Sequence, residues 1–224
     1  MREKISTATR AIGEAFGIRP GSHRAGRWGL NAQYAQLLAR EGYTSDSSVT
    51  PWMSWTNSPG VSAGACGPDF RHYPSESYYL DLNRIDRPGN SNLLEIPSTV
   101  QLRAWSLRNT VKLAARRLGL RRGRLARAAY AYEWFRTAEM SADRLLRVLD
   151  RACRDSARHL MLSLHSSELM AGGSPSFPTQ ASIESMYGML EALFESAARR
   201  CRARTMSEFA RDFAARPRPV SAAP

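Results

Sequence analysis

The chain alternates short apolar segments with longer amphipathic ones, and this alternation limits its fold more than any other feature. Three short segments have the apolar content and the flanking turn residues of buried strands: 43–51, 92–100 and 160–164. Around them, apolar residues recur at helical spacing in five segments: 3–16, 31–42, 102–125, 139–156 and 179–200. Strands that alternate with helices predict an α/β protein with a mainly parallel sheet or barrel.

The apolar run 160–164 ends in His165 and is followed by a polar, glycine-rich segment. In α/β folds the working side chains follow the carboxyl ends of such strands, so His165 is the first functional candidate. A single histidine in an apolar context is more often a hydrogen-bonded core residue. Spacing alone leaves both interpretations open.

Length and composition predict one domain over residues 1–210, since 224 residues with 43% hydrophobic content can bury a core. The Pro-rich residues 211–224 are expected to form a disordered tail. No apolar run approaches the ~20 residues of a transmembrane helix and no signal peptide is recognised, which predicts a soluble cytoplasmic protein. Cys66, Cys153 and Cys201 are widely spaced, as expected of free thiols and not of a disulfide framework or cysteine zinc site.

The net charge of +12 comes almost wholly from arginine, because only Lys4 and Lys112 are lysines. Six arginines cluster in 113–130, which is most often a solvated helical face and less often a patch for phosphates or acidic polymers. Nucleic-acid binding ranks lowest, since no helix-turn-helix, RNA-binding sheet motif or zinc finger accompanies the cluster.

Two loops have the composition of a ligand surface. Residues 18–31 combine three glycines and three arginines with a histidine and a tryptophan, although a plain structural turn has the same signature. Residues 52–78 are rich in Gly, Pro, Ser and aromatics, among them Trp52 and Trp55. Such rings suit stacking on sugars or packing on the domain.

Three segments, in order, resemble one family. The runs RAGRWGLN (24–31), YTSDSSVTP (43–51) followed by LLEIPSTV (93–100), and LMLSLHSSELMAGGSPSF (160–177) are similar to the later motifs of polysaccharide deacetylases with a NodB-homology domain. The similarity is greatest to a WalW-like bacterial branch found among capsule and exopolysaccharide genes. It covers roughly residues 5–210.

The resemblance implies a distorted (β/α) barrel that removes N-acetyl groups from glycans with a divalent metal, usually zinc. It gives His165 the role of general acid for the leaving amine and Arg24 that of orienting the catalytic base. Asp46 lies near the fourth motif and receives a weak supporting role. The expected contacts with the polysaccharide are Arg27, Trp28, Trp52, Trp55, Ser166 and Glu168.

The family's metal-binding and base motifs precede its third motif and are not found in this sequence. The four histidines of this sequence, His23, His72, His159 and His165, are not spaced as the ligands of one metal ion usually are. No metal ligand is therefore assigned. We therefore expect an incomplete barrel lacking its first strands, inactive or nearly so by itself, whose open sheet edge recruits a missing segment or a second copy. The alternative is a non-catalytic protein that binds or scaffolds acidic glycan through the aromatic loop and the arginines.

Overall fold

The computed structural model describes residues 2–58, 66–103, 110–111, 113–114 and 131–216. Where the sequence predicted one domain, the structure divides the chain into two compact units. Unit 1 comprises Met1–Ser48, Tyr78–Ile96 and Arg202–Pro224, and unit 2 comprises Val49–Ser77 and Pro97–Cys201. Most of the predicted helix 102–125 and of the arginine cluster lies outside the described residues.

Unit 1 contains a sheet of four short strands: β1 Ser22–His23, β2 Ser45–Asp46, β3 Tyr78–Tyr79 and β4 Leu94–Glu95. Their order in the sheet is β1-β2-β4-β3. Strand β2 is parallel to both of its neighbours, and β3 is antiparallel to β4. The segments 43–51 and 92–100 therefore contain the strands predicted for them, but only two residues of each pair in this sheet.

Two helices of unit 1 begin and end where the sequence predicts. Helix α1 is Arg2–Phe16 and is followed by Gly17 with φ 64°. Helix α2 is Ala32–Arg40, and the side chain of Asn31 caps it by accepting a hydrogen bond from the Tyr34 N–H at 2.8 Å. Both confirm the sequence prediction.

The third helix of unit 1 corrects the predicted tail. Helix α5, Met206–Ala214, runs past residue 210, with a capping box formed by Thr205 and Glu208. Its Phe213 ring lies 5.6 Å from the ring of Tyr79 in an edge-on contact. The first part of the predicted tail, residues 211–214, is therefore helical. Residues 217–224 lie outside the described part of the chain.

Unit 2 contains the two-stranded antiparallel sheet of β5, Val100–Leu102, and β6, Tyr132–Trp134. Helices α3, Ala142–Arg154, and α4, Gln180–Ala198, pack on each other. Their buried faces form two apolar clusters around Leu145, Leu149, Leu193, Ile183 and Met186. None of the helices in the described ranges is long and apolar enough to cross a membrane.

The apolar run 160–164 is not the regular strand that its composition predicted. It is mostly half-buried, and among the described residues it pairs through one parallel bridge between Ser163 and Arg136. At this bridge the Ser163 N–H donates to the Phe135 carbonyl at 3.1 Å. The incomplete barrel implied by the resemblance stays a prediction.

Candidate functional site

Three neighbouring strands of unit 1 end in polar residues that stand in register. His23 on β1 is opposite Asp46 on β2, and Asp46 is opposite Glu95 on β4. All three strands run in the same direction, so these residues lie at one carboxyl edge of the sheet. That edge is where open α/β sheets place ligands.

Asp46 organises this edge as a fully buried carboxylate. Its Oδ1 lies 2.6 Å from His23 Nδ1, and its Oδ2 accepts a hydrogen bond from the Ser48 N–H at 2.8 Å. Because the carboxylate can only accept, His23 donates from Nδ1, and its Nε2 lies within hydrogen-bonding distance of the Tyr34 hydroxyl, 3.0 Å away. Asp46 therefore holds the end of β1 against β2.

Tyr34 completes this chain of hydrogen bonds at its outer end. Burial raises the pKa of the Tyr34 hydroxyl, and the negative charge of Asp46 raises it further. The phenol is accordingly protonated at neutral pH and shares a hydrogen bond with His23 Nε2. Sequence reasoning missed this network because its members are 11 and 23 positions apart in the chain.

Residues 24–28, the Trp28 loop, leave the sheet directly after His23. The Arg24 guanidinium lies 4.8 Å from the centre of the Trp28 ring, a cation–π geometry. Arg27 and Trp28 both have left-handed backbones, with φ 53° and φ 60°. Bulky residues rarely adopt this conformation, and such strain concentrates at functional sites. Arg24 and Arg27 are exposed and Trp28 is half-buried.

Residues 165–169 of unit 2, with the sequence HSSEL, include both exposed and buried polar side chains. His165 and Ser166 are exposed at the start of a 3₁₀ turn, Ser166–Leu169. Glu168 is 1% exposed. Its Oε1 accepts from the Arg136 guanidinium and its Oε2 from the Thr137 hydroxyl at 3.3 Å. Glu168 was expected to contact substrate, but it lies in a buried ion pair, which indicates a structural role.

Trp55 belongs to the packing around that ion pair. Its Nε1–H donates to the Thr50 hydroxyl at 2.8 Å, and its ring meets Trp134 edge-on at 6.1 Å. The Arg136 guanidinium lies over Trp134, 5.0 Å from the ring centre. A continuous chain of contacts thus runs from the half-buried Trp55 to Glu168, and we assign Trp55 to the packing of unit 2.

Trp52 lines a cavity of about 410 Å³ in unit 2, the Trp52 cavity. Trp52 is half-buried with φ 68°, a third bulky residue in the left-handed region. The exposed carboxylates of Glu76 and Asp155 and the half-buried Arg151 also line the space. The volume of the Trp52 cavity and its aromatic wall suit a sugar-sized ligand.

His159 forms the inner wall of the Trp52 cavity. Its Nε2 lies 2.8 Å from the Pro97 carbonyl, which can only accept, so Nε2 carries the proton and Nδ1 accepts from the Ser77 hydroxyl at 3.1 Å. Burial lowers the pKa of His159, and the hydrogen bond to Pro97 opposes that shift only in part. His159 is therefore a neutral, anchored histidine.

The zinc implied by the resemblance was tested against the donors present. Among the residues that the structure describes, no group of three or more His, Cys, Asp or Glu side chains could hold a metal ion. At the sheet edge, both nitrogens of His23 are engaged by Asp46 and Tyr34. The donors in the described part of the chain therefore do not fit zinc.

Comparison with known proteins adds no relative. No family model matches the chain, and neither a curated protein nor a solved structure matches it.

Proposed function

We propose that this chain is a polysaccharide-deacetylase-like protein that binds an N-acetylated glycan, either a cell-surface polysaccharide or an exopolysaccharide. One observation carries the proposal. Arg24 is exposed directly after a parallel strand whose end is fixed by the His23–Asp46 pair, and it stacks on Trp28. The Arg24 cation and the Trp28 ring thus lie together at the carboxyl edge of the sheet. The resemblance also assigns a site role to Arg24.

Each residue of this edge has a distinct task in the proposal. Asp46 and His23 fix the origin of the Trp28 loop, so Arg24 leaves the sheet from a defined position. Arg24 donates to hydroxyl or acetyl oxygens of the glycan, and the indole of Trp28 offers an apolar face to a sugar ring. Strain at Arg27 and Trp28 is maintained because the strand end and the cap of α2 hold the loop at both sides.

Hydrolysis itself would need groups that the described residues do not bring together. His165 is exposed at the start of the 3₁₀ turn, so a substrate could come within hydrogen-bonding reach of it, as the role of general acid for a leaving amine requires. A three-ligand metal group is lacking in the described ranges. We therefore expect the chain by itself to bind glycan without measurable turnover.

Acetate release from an N-acetylated oligosaccharide, measured with and without added zinc, tests this expectation. The expected result is release no faster than the protein-free blank in both conditions. Zinc-dependent release by the wild type that disappears in His165→Ala would contradict the expected inactivity and would support a working deacetylase. Ser167→Ala is the matched control, because it truncates a nearby exposed side chain to which no contact with the glycan is assigned.

A second candidate function is non-catalytic binding of acidic glycan. It is favoured by the two exposed arginines of the Trp28 loop, Arg24 and Arg27, in a chain of net charge +12. Binding of this kind weakens steeply with salt, survives His165→Ala, and is reduced in Arg24→Ala. Trp52→Phe tests the contribution of the cavity, whereas substitution of Trp55 would act through the packing of unit 2.

A further inference from the structure

Two of the three thiols in the chain lie side by side in unit 2. Cys153 is in the last turn of helix α3, and Cys201 follows the end of helix α4. Their sulfur atoms are 4.0 Å apart, although the residues are separated by 48 positions. Both are free cysteines.

The backbones that carry these thiols are held in place by other contacts. The Cys201 N–H donates to the Ala197 carbonyl at 2.7 Å. Arg200 joins the two helices, since its Nη1 donates to Asp150 of α3 at 2.7 Å and its Nη2 to Ser196 of α4 at 2.8 Å. The sulfurs therefore face each other because the helix ends are fixed, and closing the gap to the ~2.05 Å of a disulfide needs side-chain rotation.

Access to the pair is asymmetric. Cys201 is exposed, whereas Cys153 is half-buried and packs against the apolar cluster of α3 and α4. A small oxidant can reach Cys201 first, and Cys153 is then positioned to resolve the adduct. Cys66, also exposed, has no such neighbouring thiol among the described residues.

We propose that Cys153 and Cys201 form a dithiol modification site that a low-molecular-weight disulfide oxidises to an intramolecular disulfide. The Cys201 thiolate attacks one sulfur of the small disulfide, and its other half leaves as a thiolate that takes up a proton. The Cys153 thiolate then attacks Cys201 Sγ in the mixed disulfide and releases the second small thiol. Two protein thiols are oxidised, and one small disulfide is reduced to two thiols.

The reaction has a defined pH dependence and a structural consequence. Burial and the neighbouring Cys153 raise the pKa of the Cys201 thiol, so the rate increases as the pH rises toward that value. The product joins the ends of α3 and α4 and closes the long loop between them. A link of this span restricts the unfolded chain and stabilises unit 2.

The test treats the full-length chain with oxidised glutathione and maps its disulfides by mass spectrometry. The expected product is a monomer with a Cys153–Cys201 link, free or glutathionylated Cys66, and a Tm raised by about 5 °C that dithiothreitol reverses. Cys66→Ser should behave like the wild type. Cys153→Ser and Cys201→Ser should each form only mixed disulfides, with no rise in Tm.

The proposal would be overturned if oxidation left Cys153 and Cys201 as stable mixed disulfides with glutathione, or if the disulfides joined different molecules. It would also be overturned if the Cys153–Cys201 disulfide formed no faster than a disulfide between Cys66 and either of these two cysteines.

Discussion

The two carboxylates that the motifs singled out, Asp46 in unit 1 and Glu168 in unit 2, are both buried but have opposite surroundings. Asp46 is 0% exposed and is bound by a histidine, whose other nitrogen leads to the half-buried Tyr34. Glu168 is 1% exposed and is bound by an arginine that stacks on the internal Trp134. The first carboxylate supports a strand end that carries exposed functional groups, and the second fastens a turn to the interior. The two carboxylates are equally buried, so the side chain that binds each of them, and not burial, distinguishes their roles.

The largest effect is expected from Glu168→Gln. The substitution leaves Arg136 facing a neutral amide in a largely desolvated site, and breaking such a pair costs about 3 kcal/mol in the free energy of unfolding. Urea unfolding monitored through tryptophan fluorescence measures the loss. Glu195→Gln, an exposed change of the same charge on α4, is the control and should cost less than about 0.5 kcal/mol. A Glu168→Gln protein as stable as this control would remove the structural role.

Asp46→Asn should have the next largest effect, about 2 kcal/mol. An amide offers one acceptor in place of two, so it cannot accept from both His23 Nδ1 and the Ser48 N–H without turning its own donor toward one of them. Asp86→Asn is the control, since Asp86 lies in an exposed ion pair with Arg84. Unlike Glu168→Gln, Asp46→Asn should also weaken glycan binding, because it releases the strand end before Arg24. Unchanged binding would contradict that link.

Tyr34→Phe isolates the outer end of the unit 1 network. The phenol shares a hydrogen bond with His23 Nε2, and losing it should cost about 1 kcal/mol. Tyr187→Phe is the control, because its hydroxyl makes a long contact of 3.4 Å with the Leu169 carbonyl at the surface. Thermal unfolding followed by circular dichroism compares the two. Equal effects would show that the hydrogen bond to His23 contributes nothing specific.

The smallest effect concerns acid sensitivity in unit 2 and is absent at neutral pH. Burial depresses the pKa of His159 in the folded protein, so the unfolded chain binds more protons once the pH falls below the ordinary value of 6.5. Stability is complete above that pH and is lost as the pH falls toward the lowered folded pKa, by at most about 1.4 kcal/mol per pH unit. His159→Gln should flatten this dependence. A wild-type profile that coincides with that of the variant would contradict the assignment.

The sequence predicted the helices better than the site. The Asn31 cap and the apolar period of 3–16 are local signals, and both helices form where expected. The run 160–164 has the composition of a strand, but within the described ranges it pairs at Ser163 alone, which no local signal could indicate. His23 and Asp46 come together because β1 and β2 are parallel neighbours, and Glu168 is buried because of the distant Arg136. Partners far apart in the chain decide these roles.

The central claim is that glycan recognition depends on the Trp28 loop. Isothermal titration of an N-acetylated oligosaccharide into the wild type, Arg24→Ala and Arg40→Ala tests it most directly. Arg40 is an exposed arginine of α2, so its removal changes the charge of unit 1 equally. The prediction is that Arg24→Ala lowers the affinity by about tenfold while Arg40→Ala leaves it unchanged. Equal affinities in the three proteins, or no binding by the wild type, would contradict the claim.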